Sequence, residues 1–129
     1  MDYLHNRHLY QDISGSTVLA AGDNLSVTAR TLVALKAGFT LYIQRIIVNV
    51  ITDNAATLQF KDTAGTPVVI AGTKASPGIG PITFEFGPEG RAITEGKALT
   101  LTNSAAGLAA DIHWEGYRQP TGVLTPATL

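Results

Sequence analysis

Short runs in which apolar and polar residues strictly alternate constrain this chain more than any other feature. Leu58 and Phe60 alternate with Thr57, Gln59 and Lys61, and Ile82, Phe84 and Phe86 alternate with Thr83 and Glu85. Leu99 and Leu101 alternate with Thr100 and Thr102, and Leu108, Ala110, Ile112 and Trp114 alternate with Ala109, Asp111, His113 and Glu115. Successive side chains of a strand point to opposite faces, so each run carries one face for a core and one for elsewhere. A 3.6-residue apolar repeat long enough for a helix does not occur. Further runs at Ser16–Ala20, Leu25–Leu35, Phe39–Thr52 and Pro67–Ala71 bring the total to about eight strands. Between them lie "AAGDN", "KAG", "TDNA", "DTAGTP", "GTKASPGIGP", "FGPEGRAITEG" and "NSAAG", drawn from 13 glycines and 6 prolines. These are turn residues. The pattern predicts an all-β fold, a β-sandwich of jelly-roll type with about eight strands.

A chain of 129 residues fits one domain, and burying about two-thirds of its unfolded surface is within reach at that size. The expected organisation is an extended N-terminal arm over 1–14, a sandwich over 15–118 and a C-terminal tail over 119–129. The arms lack sustained alternation, and the first carries Tyr3, Leu4, Leu9 and Tyr10, apolar and aromatic area suited to docking on a neighbour. Charged residues are only 15% of the chain, against about 25% in ordinary soluble domains. Much of the outside is therefore Thr, Ser, Ala and Gly, or is covered by a partner. Nine Lys+Arg against 10 Asp+Glu leave no basic excess to neutralise phosphates, so no nucleic-acid partner is expected. Without cysteine there is no disulfide, thiolate nucleophile or Cys-based zinc site. The polar, aromatic opening "MDYLHNRHLYQD" lacks a signal peptide's apolar centre, and no window approaches the ~18 apolar residues of a membrane span. The expectation is a soluble, non-exported protein with no membrane partner.

Residues able to carry chemistry are few. Asp111, His113 and Glu115 share a face of the last strand, about 6.5–7 Å apart in turn. One histidine between two acids more simply hydrates a sheet than binds a metal, and Trp114 on the opposite face reads as a core anchor. His5 and His8 stand close together in the arm, but two histidines do not complete a tetrahedral site. Ser14, Ser16, Ser26, Ser76 and Ser104 lack a nucleophile-elbow context, and "GTKASPGIGP" lacks the G-K-[ST] ending of a phosphate loop. Glu85, Glu89 and Glu95 surround turns without pairing as a glycosidase requires. No enzyme, cofactor or metal is expected.

The segment "FTLYIQRIIVNVIT" differs from the other runs. One face presents Leu41, Ile43, Arg45, Ile47, Asn49 and Ile51, and the other Tyr42, Gln44, Ile46, Val48 and Val50. Both are largely apolar, whereas a small sandwich buries one face of each strand. The second face needs cover from an arm of the same chain or from another subunit, and together with the low charge it predicts a homo-oligomer whose interface holds Tyr42, Ile46, Val48 and Val50.

The strings "LYIQRIIVNVITDNAATLQFKDTAGTPV" and "GPITFEFGPEGRAITEGKALTLTNSAAGLAADIHWEGY" resemble small structural proteins of tailed bacteriophages. The shared elements are "I-x-R-I-x-V-x-V" at Ile43–Val50, a strand ending in "D-x-x-G" at Leu58–Gly65, and "F-x-F-G-P-x-G" at Phe84–Gly90. "L-T-x-G-x-x-L" falls at Ile93–Leu99 and a closing "V-x-x-x-G-Y" at Ile112–Tyr117. The resemblance implies a virion protein that decorates or cements the capsid, often as a homotrimer, with the major capsid protein as partner. Tail or neck modules belong to the same group, and a carbohydrate- or receptor-binding jelly roll is the alternative. With that function the arm residues Tyr3, Leu4, Arg7, Leu9 and Tyr10 are the expected capsid contacts.

Overall fold

The computed structural model describes residues 11–121, which contain no helix and nine strands. They are β1 (Gln11–Leu19), β2 (Arg30–Val33), β3 (Phe39–Thr52), β4 (Leu58–Asp62), β5 (Val69–Gly72), β6 (Gly80–Glu85), β7 (Arg91–Ala92), β8 (Leu99–Asn103) and β9 (Ala109–Pro120). One sheet runs β1-β9-β3-β6, with the two-residue β7 also on β3, and the other runs β2-β8-β4-β5. Every pairing is antiparallel.

The order has a simple origin. With β7 set aside, the first strand pairs with the last, the second with the second-last, the third with the sixth and the fourth with the fifth. That is one long hairpin rolled into two sheets, the jelly roll that the alternation predicts. The sandwich extends beyond its expected limits, because β1 begins at Gln11 and β9 continues to Pro120. The expected arm over 1–14 therefore gives up Gln11–Ser14 to a strand. Conversely, the run Leu25–Leu35 forms a strand only over Arg30–Val33, and Leu25 packs against the core from a loop.

Strand β3 corrects the reading of two apolar faces. Its register on β9 steps from Ile43↔Gly116 to Arg45↔Glu115, so Gln44 is an extra residue, a β-bulge. Before the bulge the odd positions Leu41 and Ile43 face the core, and after it the even positions Ile46, Val48 and Val50 do, all at most 4% exposed. The two apolar patterns are two halves of one inward face whose phase changes at Gln44. Ile46, Val48 and Val50 thus belong to the sandwich core and are not available to a second subunit. Tyr42 lies on the outer face, half-buried, with its ring stacked on Tyr117 at 5.0 Å. The argument from β3 for an oligomer interface at Ile46, Val48 and Val50 loses its basis.

The core lies between the sheets, with Trp114, Ile46 and Phe84 in one row and Ile112, Val48 and Ile82 in the next facing Phe60, Leu58 and Leu101 of the other sheet. Trp114 is 6% exposed, the anchor that its place in the alternation predicts. Two arginines bridge the sheets where backbone pairing stops. Arg30 of β2 donates to the Val18 carbonyl and the Thr17 hydroxyl of β1, at 2.9 and 3.1 Å. Arg91 of β7 donates to the Ile70 and Val69 carbonyls of β5, at 2.9 and 3.3 Å.

Candidate functional surface

The outer face of the β1-β9-β3-β6 sheet carries most of the groups that could do chemistry. Its cross-strand rows are Ser14–Glu115–Arg45–Glu85, then Ser16–His113–Ile47–Thr83, then Val18–Asp111–Asn49–Pro81. Asp111 and His113 are exposed, as the alternation requires. Glu115 is engaged, because Arg45 lies between it, at 3.3 Å, and Glu85. The row is a three-strand ion triad on a half-exposed surface, and pairs of that kind contribute about 0–1 kcal/mol each. Among the described residues, no three His, Cys, Asp or Glu side chains are placed to share a metal ion. A shallow groove beside His113, walled by Ser16, Val18, Ile47, Asn49 and Asp111, is open and mostly apolar.

The residues of the quoted motifs converge instead on turns. Asp62, from "D-x-x-G", is buried and accepts from the Ala64 and Val68 amides and from the Thr94 hydroxyl, at 3.1, 3.0 and 2.6 Å. Burial raises the carboxyl's proton affinity, but the hydrogen bonds from Thr94, Val68 and Ala64 together outweigh it and hold the group below its ordinary range. Thr94 belongs to the "L-T-x-G-x-x-L" element, and the Thr63 hydroxyl accepts from the Ala98 amide of that element at 3.1 Å. Two stretches some thirty residues apart are thereby latched together.

A second latch surrounds the β3 bulge. The Gln44 carbonyl accepts from the Phe86 amide, and the Gln44 side chain donates to the Pro88 carbonyl at 2.6 Å. Gly87 and Gly90 take φ of 82° and 77°, which favours glycine at both corners of "FGPEG". The Tyr117 hydroxyl donates to the Glu89 carbonyl at 2.7 Å. Gly116 beside it has no room for a side chain, since a Cβ there would run into the Tyr42 carbonyl. "F-G-P-x-G" and "G-Y" are two sides of one contact, and the open pocket beside it is lined by Gln44, Gly87, Pro88 and the Arg45 ion triad.

At the loop end Asn103, 3% exposed, accepts from the Leu25 amide at 2.7 Å and donates to the Asp23 carbonyl at 3.1 Å. Asp23 in turn is held below its ordinary pKa by the Ala20 amide first and Arg30 second. The expected capsid contacts Tyr3, Leu4, Arg7, Leu9 and Tyr10, with His5 and His8, lie outside the described residues. So does most of the C-terminal tail, from 122 onward. The bulge and the true start of β1 escaped the sequence reading. The available signals were the overlap of two apolar phases at Ile46–Ile47 and the weak inward alternation Ile13, Gly15, Thr17, Leu19.

No protein-family model and no curated protein matches the chain. Among solved structures, a similar chain belongs to the cryo-EM structure of the extra small virus VLP of the giant freshwater prawn Macrobrachium rosenbergii. It is 12% identical, with 84% of this chain and 79% of that chain covered at a TM-score of 0.39. The fold assignment rests on the strand pairing of this chain.

Proposed function

We propose that this is a structural virion protein that decorates the outer surface of a capsid and cements neighbouring copies of the major capsid protein. The observation that carries the reading is where the quoted motifs fall. They form the latches of a rolled-hairpin jelly roll, an architecture common among virus-shell domains, which is the kind of fold that the resemblance implies. The low charge and the apolar groove on the outer sheet suit a protein that works against another protein surface. Tail or neck attachment is the nearest variant of the same reading. The carbohydrate-binding alternative calls for aromatic side chains displayed beside polar groups. Among the described residues the exposed large hydrophobics are all aliphatic: Val18, Val27, Leu35, Ile51, Val68, Val69 and Ile79.

The test is co-sedimentation of the full chain with capsids assembled from the major capsid protein encoded in the same genome. Saturable binding with a fixed ratio to capsid subunits, and a raised capsid melting temperature, is the expected result. Removing residues 1–10, with Tyr3, Leu4, Arg7, Leu9 and Tyr10, is expected to weaken that binding. Full-length protein that leaves capsids untouched yet is found in purified tails would move the site to the tail. Selective glycan binding without either would replace the virion role.

A further inference from the structure

A jelly roll leaves four strand edges, and three of these are blunted. β5 and β2 are four residues long, and the β5 carbonyls of Val69 and Ile70 are taken by Arg91. β6 carries Pro81, which has no N–H to offer. β1 is nine residues long with Asp12 as its one charge. Arg30 on the Val18 carbonyl, and Asp23 on the amide of Ala20 just past the strand, show that the even-numbered residues of β1 turn their backbone groups away from β9. The register with β9 runs without a break from Gln11 to Leu19. Asp12, Ser14 and Ser16 therefore present outward N–H and C=O groups, and no partner for these occurs among the described residues. Native sheets seldom leave such an edge open.

We infer that β1 pairs antiparallel with β1 of a second copy about a twofold axis at Ser14, joining two sheets into one. The open groups define the register. With the Val18 carbonyl taken by Arg30, the residues that keep both groups open, Asp12, Ser14 and Ser16, are symmetric about Ser14. Each Asp12 then faces the other copy's Ser16, a hydroxyl that can donate to its carboxylate. The two Asp12 charges fall at opposite ends of the ladder, which gains about six backbone hydrogen bonds. The same register sets Ile13 of one copy opposite Gly15 of the other. Gly15 is where β1 has no side chain because the Trp114 indole fills the space, within 2.5 Å of where a Cβ would stand. Ile13 would cover the indole edge that Gly15 leaves open, and the indole N–H has no acceptor among the described residues. The pair is isologous, so one surface serves both copies. It stands independently of the virion reading.

Cysteine variants test the register, since the chain has no cysteine of its own. In the proposed pairing the Ser14 Cα atoms face each other at about 5.5 Å, inside the range of a disulfide. Those of Ser16 are offset by four residues, about 13 Å along the strand. Ser14→Cys full-length protein should convert to a covalent dimer on mild oxidation, and Ser16→Cys should not. Sedimentation should find the unmodified chain dimeric at micromolar concentration. Ser14→Pro, which removes the central donor without touching a bond inside the subunit, should be monomeric with an unchanged melting temperature. An unmodified chain that stays monomeric, a dimeric Ser14→Pro protein, or Ser16→Cys that cross-links as readily as Ser14→Cys would each overturn the pairing. The monomeric outcome would leave the edge to a strand of a different protein.

Discussion

Asp62 and Gly15 show how single residues hold this fold. Asp62 is a buried carboxylate with three hydrogen-bond donors, so its folded pKa lies below its unfolded value. A depressed carboxyl stabilises the fold fully above the unfolded pKa of about 3.9, and that contribution is lost as pH falls through the lower folded value. Asp62→Asn keeps the shape and removes the charge. It should cost about 1.5–3 kcal/mol near neutral pH, and its melting temperature should fall less than that of the parent chain when both are titrated from pH 5 to pH 2. Equal slopes would mean that other carboxyls dominate acid unfolding. Gly15 and Trp114 form the second residue-scale device. Gly15→Ala forces its methyl group into the indole, and overpacking of this kind costs about 1–3 kcal/mol. Trp114→Ala, which empties the same space from the other side, should cost about 3–5 kcal/mol. Chemical denaturation followed by circular dichroism measures both, and a Gly15→Ala protein as stable as the parent would show that the indole moves aside freely.

At the scale of the element, the bulge in β3 decides which side chains are inside. Because the period of a strand is two, one inserted residue turns every later side chain to the other face. Gln44 is that residue. Deleting it joins the Ile43↔Gly116 pair directly to Arg45↔Glu115, an unbroken period-two strand that keeps Ile46, Val48 and Val50 inward and loses only the contacts of Gln44 itself. Gln44→Ala keeps the extra residue and loses only the hydrogen bond to Pro88, a change of about 1 kcal/mol. Both variants are therefore expected to unfold cooperatively, and the deletion, which loses the hydrogen bonds to Phe86 and Pro88 together, to cost about twice as much as the substitution. A deletion variant that no longer unfolds cooperatively would mean that the bend of the bulge itself, and not only the hydrogen bonds of Gln44, is needed to pack the strand. The sharp turn Phe86–Gly90 belongs to the same unit, since Gly90 packs against the Ile43 carbonyl and the Tyr42 Cβ and the Glu89 carbonyl accepts from Tyr117.

Over the whole molecule, Arg30 and Arg91 close the two seams where the sheets do not share backbone hydrogen bonds. Arg91→Met keeps most of the apolar stem and uncovers the Val69 and Ile70 carbonyls on β5. It should lower stability by about 1 kcal/mol and make light scattering rise at high protein concentration, because a guarded edge becomes an open one. Unchanged scattering would show that the shortness of β5 protects it without the arginine. The sequence alone determined that the chain is all-β, where most turns fall, and that Trp114 points inward while Asp111 and His113 point outward. These follow from alternation and turn chemistry, which are local. It could not place the phase change at Gln44, because two overlapping apolar registers look the same as a strand with two apolar faces until the partner strand supplies the register. Nor could it show that "D-x-x-G" meets Thr94, that "F-G-P-x-G" meets Tyr117, or that no described residue pairs with the outer edge of β1. Those depend on which strands become neighbours when the long hairpin rolls up, and only tertiary packing decides that.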